Sequence, residues 1–160
     1  MADAPPASTD SIWKRRVVIP IRNQLKQGTS PDQIALTIAL GLVLGAFPIL
    51  GTTTALCALV ALRLRLNQPI IQLVNYAMYP VQFLAMIPFY RAGETLFGQP
   101  HMPLSVALLT ERMRAGLLRF LGDFGMMGLR GVAVWCLVAP PVAAVVYFAT
   151  RPALRAMSRR

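Results

Sequence analysis

Residues able to do acid–base or nucleophilic chemistry are few in this chain and scattered. His101 is the single histidine and stands in Gln99-Pro100-His101-Met102-Pro103, with no carboxylate or nucleophile in a recognisable motif around it. The six Asp and Glu residues all lie outside the apolar runs, and none pair at a spacing suited to general acid–base work. Cys57 and Cys136 lie inside apolar runs without metal-ligand spacing and read as small buried hydrophobes. A glycine-rich phosphate loop is missing. The expectation is a non-enzyme with no catalytic residues, cofactor or metal. Arg91 and Glu94, three apart on a helix, read as a local ion pair at a membrane edge.

The polar side chains that could build a site are neutral and sit where charge is missing. No residue is charged between Asp32 and Arg63, between Arg65 and Arg91, or between Arg130 and Arg151. The runs 33–62, 66–90 and 131–150 each reach the roughly 20 apolar residues that a bilayer crossing needs. The chain is 14% charged, against about 25% for a soluble domain. A soluble amphipathic helix would interrupt such runs every turn or two. An all-α integral membrane protein of a bacterial inner membrane follows. The net charge of +10 alone could suggest nucleic acid, but the cations flank the runs: Lys14, Arg15, Arg16, Arg22 and Lys26 before the first, Arg151, Arg155, Arg159 and Arg160 after the last. That is topology-setting charge against anionic lipid, so membrane lipid is the expected partner and nucleic acid is not.

The elements follow from breakers and caps. Residues 1–10 read as a disordered tail and 11–27 as a basic interfacial helix with Trp13, Val17, Ile21 and Leu25 on one side. Ser30, Pro31 and Gln33 predict a capping box with proline in the first turn. The run 33–64 is interrupted by Gly45-Ala46-Phe47-Pro48-Ile49-Leu50-Gly51, so two half-helices are expected at about 34–46 and 52–64, each too short to cross. The run 66–90 is interrupted at Tyr79-Pro80. Residues 104–130 form an amphipathic helix with Met113, Leu117, Phe120, Phe124 and Met127 as its stripe, 131–150 a transmembrane helix kinked at Pro140-Pro141 with Trp135 as an interface anchor, and 151–160 a basic tail. Cytoplasmic cations at both ends require an even number of crossings, which favours a re-entrant hairpin at 33–64 plus two spans over three spans.

Broken backbone in lipid survives only when buried in protein or lining a wet cavity, and paired broken helices point to a transport site. The candidate polar site is therefore the break itself (Gly45, Pro48, Gly51), the hydroxyls of Thr52, Thr53 and Thr54 at the start of the second half-helix, and Asn75, Tyr79, Pro80 and Gln82 opposite. The competing reading is that glycines permit close helix packing while Thr, Asn and Gln bond between helices.

The series Ser30-Pro31-Asp32-Gln33, Gly41, Gly45, Phe47-Pro48, Gly51-Thr52-Thr53, followed by Asn75-Tyr76, Tyr79-Pro80-Val81-Gln82 and Arg91-Ala92-Gly93-Glu94, resembles the bacterial membrane family called domain of unknown function 2062, in a subgroup with a Tyr-Pro-Val-Gln core, over about 30–98. Where many members have Asn-Pro, this chain has Asn75-Tyr76. The resemblance implies membrane location, and association with envelope-biosynthesis proteins such as glycosyltransferases. Two functions are expected from these features: a transporter-like or lipid- and envelope-precursor-handling module with a polar site between broken helices, or a non-catalytic scaffold recruiting cell-envelope enzymes.

Overall fold

The computed structural model describes residues 30–101, 110, 111, 114 and 116–158. The tail at 1–10, the basic helix at 11–27 and most of 102–116 lie outside the described residues. What is described is all-helical: α1 Pro31–Gly45, α2 Thr53–Leu64, α3 Gln68–Ala77, α4 Tyr79–Leu96 and α5 Leu117–Ser158.

Local chemistry sets most boundaries. Ser30 Oγ accepts from the Gln33 amide at 3.2 Å while Gln33 Oε1 accepts from the Ser30 amide at 3.4 Å, with Pro31 in the first turn. Asn67 Oδ1 accepts from the Ile70 amide at 3.1 Å and starts α3. Arg65 takes φ 52 at the end of α2, and the Leu66 amide returns to the Ala61 carbonyl at 2.8 Å. The run 66–90 breaks at Met78, one residue before Tyr79-Pro80, and α3 and α4 meet there at 63°. Pro80 lies in the first turn of α4, where its missing N–H costs nothing, so it begins a helix rather than interrupting one. α4 then continues past residue 90 to Leu96.

The expected division at residue 130 is absent. α5 runs from Leu117 to Ser158 as one helix, with Pro140, Pro141 and Pro152 inside it. Each of these prolines removes its own backbone donor, and helix on both sides nevertheless carries the chain through.

α1 and α2 form a hairpin whose tip is residues 46–52, and α3 runs parallel to α1 beside it. Ile34, Ala35, Ile70 and Leu154 pack together at one end; Val43, Leu44, Cys57, Ile71 and Ala139 pack nearer the tip. α5 is antiparallel to both α1 and α4. Its first part lies on α4, where Gly93 meets the backbone of Arg130 and Gly131. Its later part lies on α1, where Asp32 closes the far end: Arg151 Nε is 2.8 Å from Asp32 Oδ1 and Arg155 Nη2 is 2.8 Å from Oδ2. Hydrogen bonds from Arg151 and Arg155 hold the Asp32 carboxyl well below the usual carboxylate range.

Burial departs from that of a water-soluble bundle, with polar side chains enclosed beside the apolar clusters and large apolar ones outside. Thr37, Thr53, Asn75, Gln82 and Glu94 are buried, while Leu62, Leu84, Leu137, Val145 and Phe148 are more than 60% exposed. Among the described residues one helical stretch, Phe124–Ser158, is long and apolar enough to cross a membrane, and only 6% of its most apolar part is buried, unlike a soluble core helix. The bent pair α3–α4 passes the same length and composition criteria if taken as one span.

Candidate functional site

The hairpin tip raises an accounting problem, because ending α1 at Gly45 frees carbonyls that α2 does not collect. Side chains from two other helices collect them. Trp135 Nε1 on α5 donates to the Val43 carbonyl at 3.0 Å. Gln82 Nε2 on α4 donates to the Phe47 carbonyl at 2.8 Å, and Tyr90 Oη to the Pro48 carbonyl at 2.6 Å. Thr52 Oγ1 closes the turn locally onto the Ile49 carbonyl at 2.9 Å. The Phe47 ring meets Trp135 edge-on at 4.9 Å between centroids.

A second polar ladder joins α2 to α3. Gln68 Nε2 donates to the Ala58 carbonyl at 2.9 Å and Gln72 Nε2 to the Thr54 carbonyl at 3.0 Å. Asn75 Nδ2 reaches Thr54 Oγ1 at 3.5 Å and Gln72 Oε1 at 3.4 Å, both long bonds, and Asn75 Oδ1 has no partner. Gln68, Gln72 and Asn75 are spaced four and three apart, so they share one face of α3.

The structure thus brings Thr54 to Asn75 and Gln82 to the tip. Thr53 and Pro48 are buried beside them and Thr52 is exposed. Gly45 faces Met78, where a Cβ would lie 2.7 Å from the Met78 Cβ. Tyr79 and Pro80 are exposed, and Tyr79 stacks obliquely on Tyr76 at 5.6 Å instead of facing the threonines. Arg91 Nη1 is 3.0 Å from Glu94 Oε2, and that carboxylate is buried while His101 Nδ1 lies 4.0 Å away. Sequence reasoning missed Tyr90, Trp135, Gln68 and Gln72 as partners. The eight-residue spacing of Gln82 and Tyr90 places both on one face of α4 and was a usable signal. Trp135 is half-buried against the tip, where its N–H serves a carbonyl freed by the break.

Gly51 has φ +81, and a Cβ built there would meet nothing within 4 Å, so its role is conformational and not close packing. Gly51→Leu should destabilise by about 1–2 kcal/mol, the cost of a left-handed leucine, and Gly51→Asn by less. Thermal unfolding in detergent reads this, with Leu59→Met as the mild control. Equal stability of Gly51→Leu and the parent chain would remove the conformational argument.

The space beside the tip is apolar. A half-open groove of about 320 Å³ runs between α1 (Leu42, Ala46), α4 (Val81, Phe89) and α5 (Trp135, Val142). A smaller hollow of about 290 Å³ lies by Phe47, Thr52 and Leu59. Thr53 and Asn75 are packed between helices and line neither. Among the described residues no three His, Cys, Asp or Glu side chains come together to hold a metal.

A family described as uncharacterized protein conserved in bacteria (DUF2062) matches residues 18–160. The chain belongs to this family. The match extends well beyond the stretch that carries the motif resemblance: the DUF2062 region includes α5, and with it Trp135 and the Arg151–Arg155 pair that engage the hairpin. No curated protein and no solved structure matches.

Proposed function

We propose that this DUF2062 protein is a non-catalytic, multi-pass inner-membrane module that holds the hydrocarbon chain of a membrane lipid in the groove beside its hairpin tip. The observation that carries the reading is the groove: it is about 320 Å³, near the lower end of ligand pockets at roughly 300–1,000 Å³, and its lining is apolar throughout. A polar solute would find no partner there. The membrane setting is supported by buried amides under exposed Leu, Val and Phe, and by the charge-free stretch 131–150 of α5, which spans about 30 Å. On this reading α1 and α2 enter and leave at the Asp32–Arg151 end, the bent α3–α4 pair crosses once and α5 crosses back. Both termini are then cytoplasmic, next to the cationic segments.

The test is photo-crosslinking with a diazirine-tailed phospholipid in inverted membrane vesicles. Label is expected on Val81, Phe89 and Val142, and Ala85→Phe, which fills the groove, should reduce it severalfold. Label distributed evenly over the outer residues Val145 and Phe148, and unchanged by Ala85→Phe, would sink the reading. A second reading, a scaffold that recruits envelope enzymes, draws on the packed state of Thr53 and Asn75: the buried polar groups fasten helices together, which suits a platform better than a polar conduit.

A further inference from the structure

The surroundings of the groove bear on which part of a lipid it recognises. Its α5 lining runs from Trp135 to Val146, a rise of about 16 Å. The charge-free stretch of α5 is bounded by Arg130 and Arg151. Each end of the lining therefore stops about 7.5 Å short of the nearest charge on this helix. The groove is centred on the middle of the stretch, and in a bilayer it lies about the midplane.

The cations beyond the groove face elsewhere. At about 100° per residue, Arg151 and Arg155 lie about 140–180° round α5 from Val142 and Val146. Both are engaged with Asp32. Arg130 lies about 140° round the same helix from Trp135. On α4, Arg91 lies about 160° round from Phe89, and it holds Glu94. Within the groove, Trp135 Nε1 already donates to the Val43 carbonyl at 3.0 Å. Among the described residues, no side chain lining the groove has a charge or an N–H left for a phosphate, sugar or amine.

The dimensions restrict the chain. About 320 Å³ over about 16 Å is a cross-section of about 20 Å². That admits one extended polymethylene chain and not two side by side. The groove is half open, so a single methyl branch can point outward. Branches on several sides of a chain cannot all do so, and those turned inward press on Val81, Ala139 and Val142.

We infer that the groove selects the chain and ignores the head group: its occupant is the terminal part of one unbranched acyl chain. A chain anchored in either leaflet spans about half of a 30 Å core, about 15 Å, which brings its end level with the groove. This rests on the groove being a lipid site at all, and the test separates the two ideas. Purified protein in lipid nanodiscs is labelled with the diazirine-tailed phospholipid, and unlabelled competitors are added. Dipalmitoyl phosphatidylglycerol should displace the label from Val81 at a concentration at least fivefold lower than diphytanoyl phosphatidylglycerol. Dipalmitoyl phosphatidylethanolamine should match its phosphatidylglycerol counterpart within twofold. Val142→Ala, which widens the groove, should bring the branched lipid several-fold closer to the straight one. Equal displacement by straight and branched chains would overturn the chain inference while leaving a general lipid groove standing. A tenfold difference between the two head groups would overturn head-group indifference. Absence of label from the groove in every case would overturn the lipid reading itself.

Discussion

Gly93→Ala should be the most damaging single-methyl change in the chain. A Cβ at this position would lie 2.7 Å from the Arg130 carbonyl carbon, 2.8 Å from its oxygen and 2.9 Å from the Gly131 nitrogen. Every one of these atoms is backbone, so no side chain can rotate out of the way, and α4 and α5 must separate. Overpacking typically costs about 1–3 kcal/mol, and a backbone-to-backbone contact belongs at the upper end. At about 2–4 °C per kcal/mol for a chain of this size, the melting temperature should fall by roughly 5–10 °C. Gly125→Ala is the matched control, because it is helical and a Cβ added there would meet nothing within 4 Å. It should be neutral or stabilising by about 0.5–1 kcal/mol. If both variants melted alike, the close approach of α4 and α5 would be wrong.

Gln82→Leu should come second. Counting apolar surface alone, leucine at a buried site facing lipid-like surroundings ought to stabilise. Gln82 is 1% exposed, however, and its amide supplies the Phe47 carbonyl. Losing that donor leaves a buried carbonyl of the broken turn unpaired, at about 1–3 kcal/mol. Tyr90→Phe removes the bond to Pro48 with almost no change of shape and should cost about 1 kcal/mol. The two act on one turn, so their effects should not add. Thermal unfolding measures the loss, and alkylation of a cysteine placed at exposed Leu50 reports whether the tip has loosened. A Gln82→Leu protein with parental stability and an unchanged alkylation rate would show that the tip carbonyls do not depend on α4.

What the sequence made legible was local. The Ser30-Pro31-Gln33 start and the two half-helices around the Gly45–Gly51 break depend on residues within a turn or two of each other. The 66–90 bend was legible as an event but placed by its proline, and proline favours first turns, so the break fell at Met78. Pro140-Pro141 read as a kink within a helix and not as its end, and α5 does continue through them. Long-range pairings carried no local mark: Asp32 meets Arg151 across most of the chain, and Trp135 serves Val43. The candidate site was half legible for the same reason. Thr54, Asn75 and Gln82 are indeed at the break, but whether they surround water or one another depends on how closely α1 approaches α3, which Gly41 and Gly45 permit and periodicity does not report.

The donors that quiet the tip impose an order on biogenesis. Val43, Phe47 and Pro48 leave the ribosome before Gln82, Tyr90 and, much later, Trp135. Until those arrive, a hairpin pushed into hydrocarbon would carry bare carbonyls that nothing in lipid can satisfy. On the proposed topology the hairpin would therefore wait at the membrane surface during translation and sink only when the final helix is in place. A nascent chain truncated before Trp135 would hold its first two helices at the surface, within reach of proteases and insertion chaperones, so the last segment made acts as the quality check on the first.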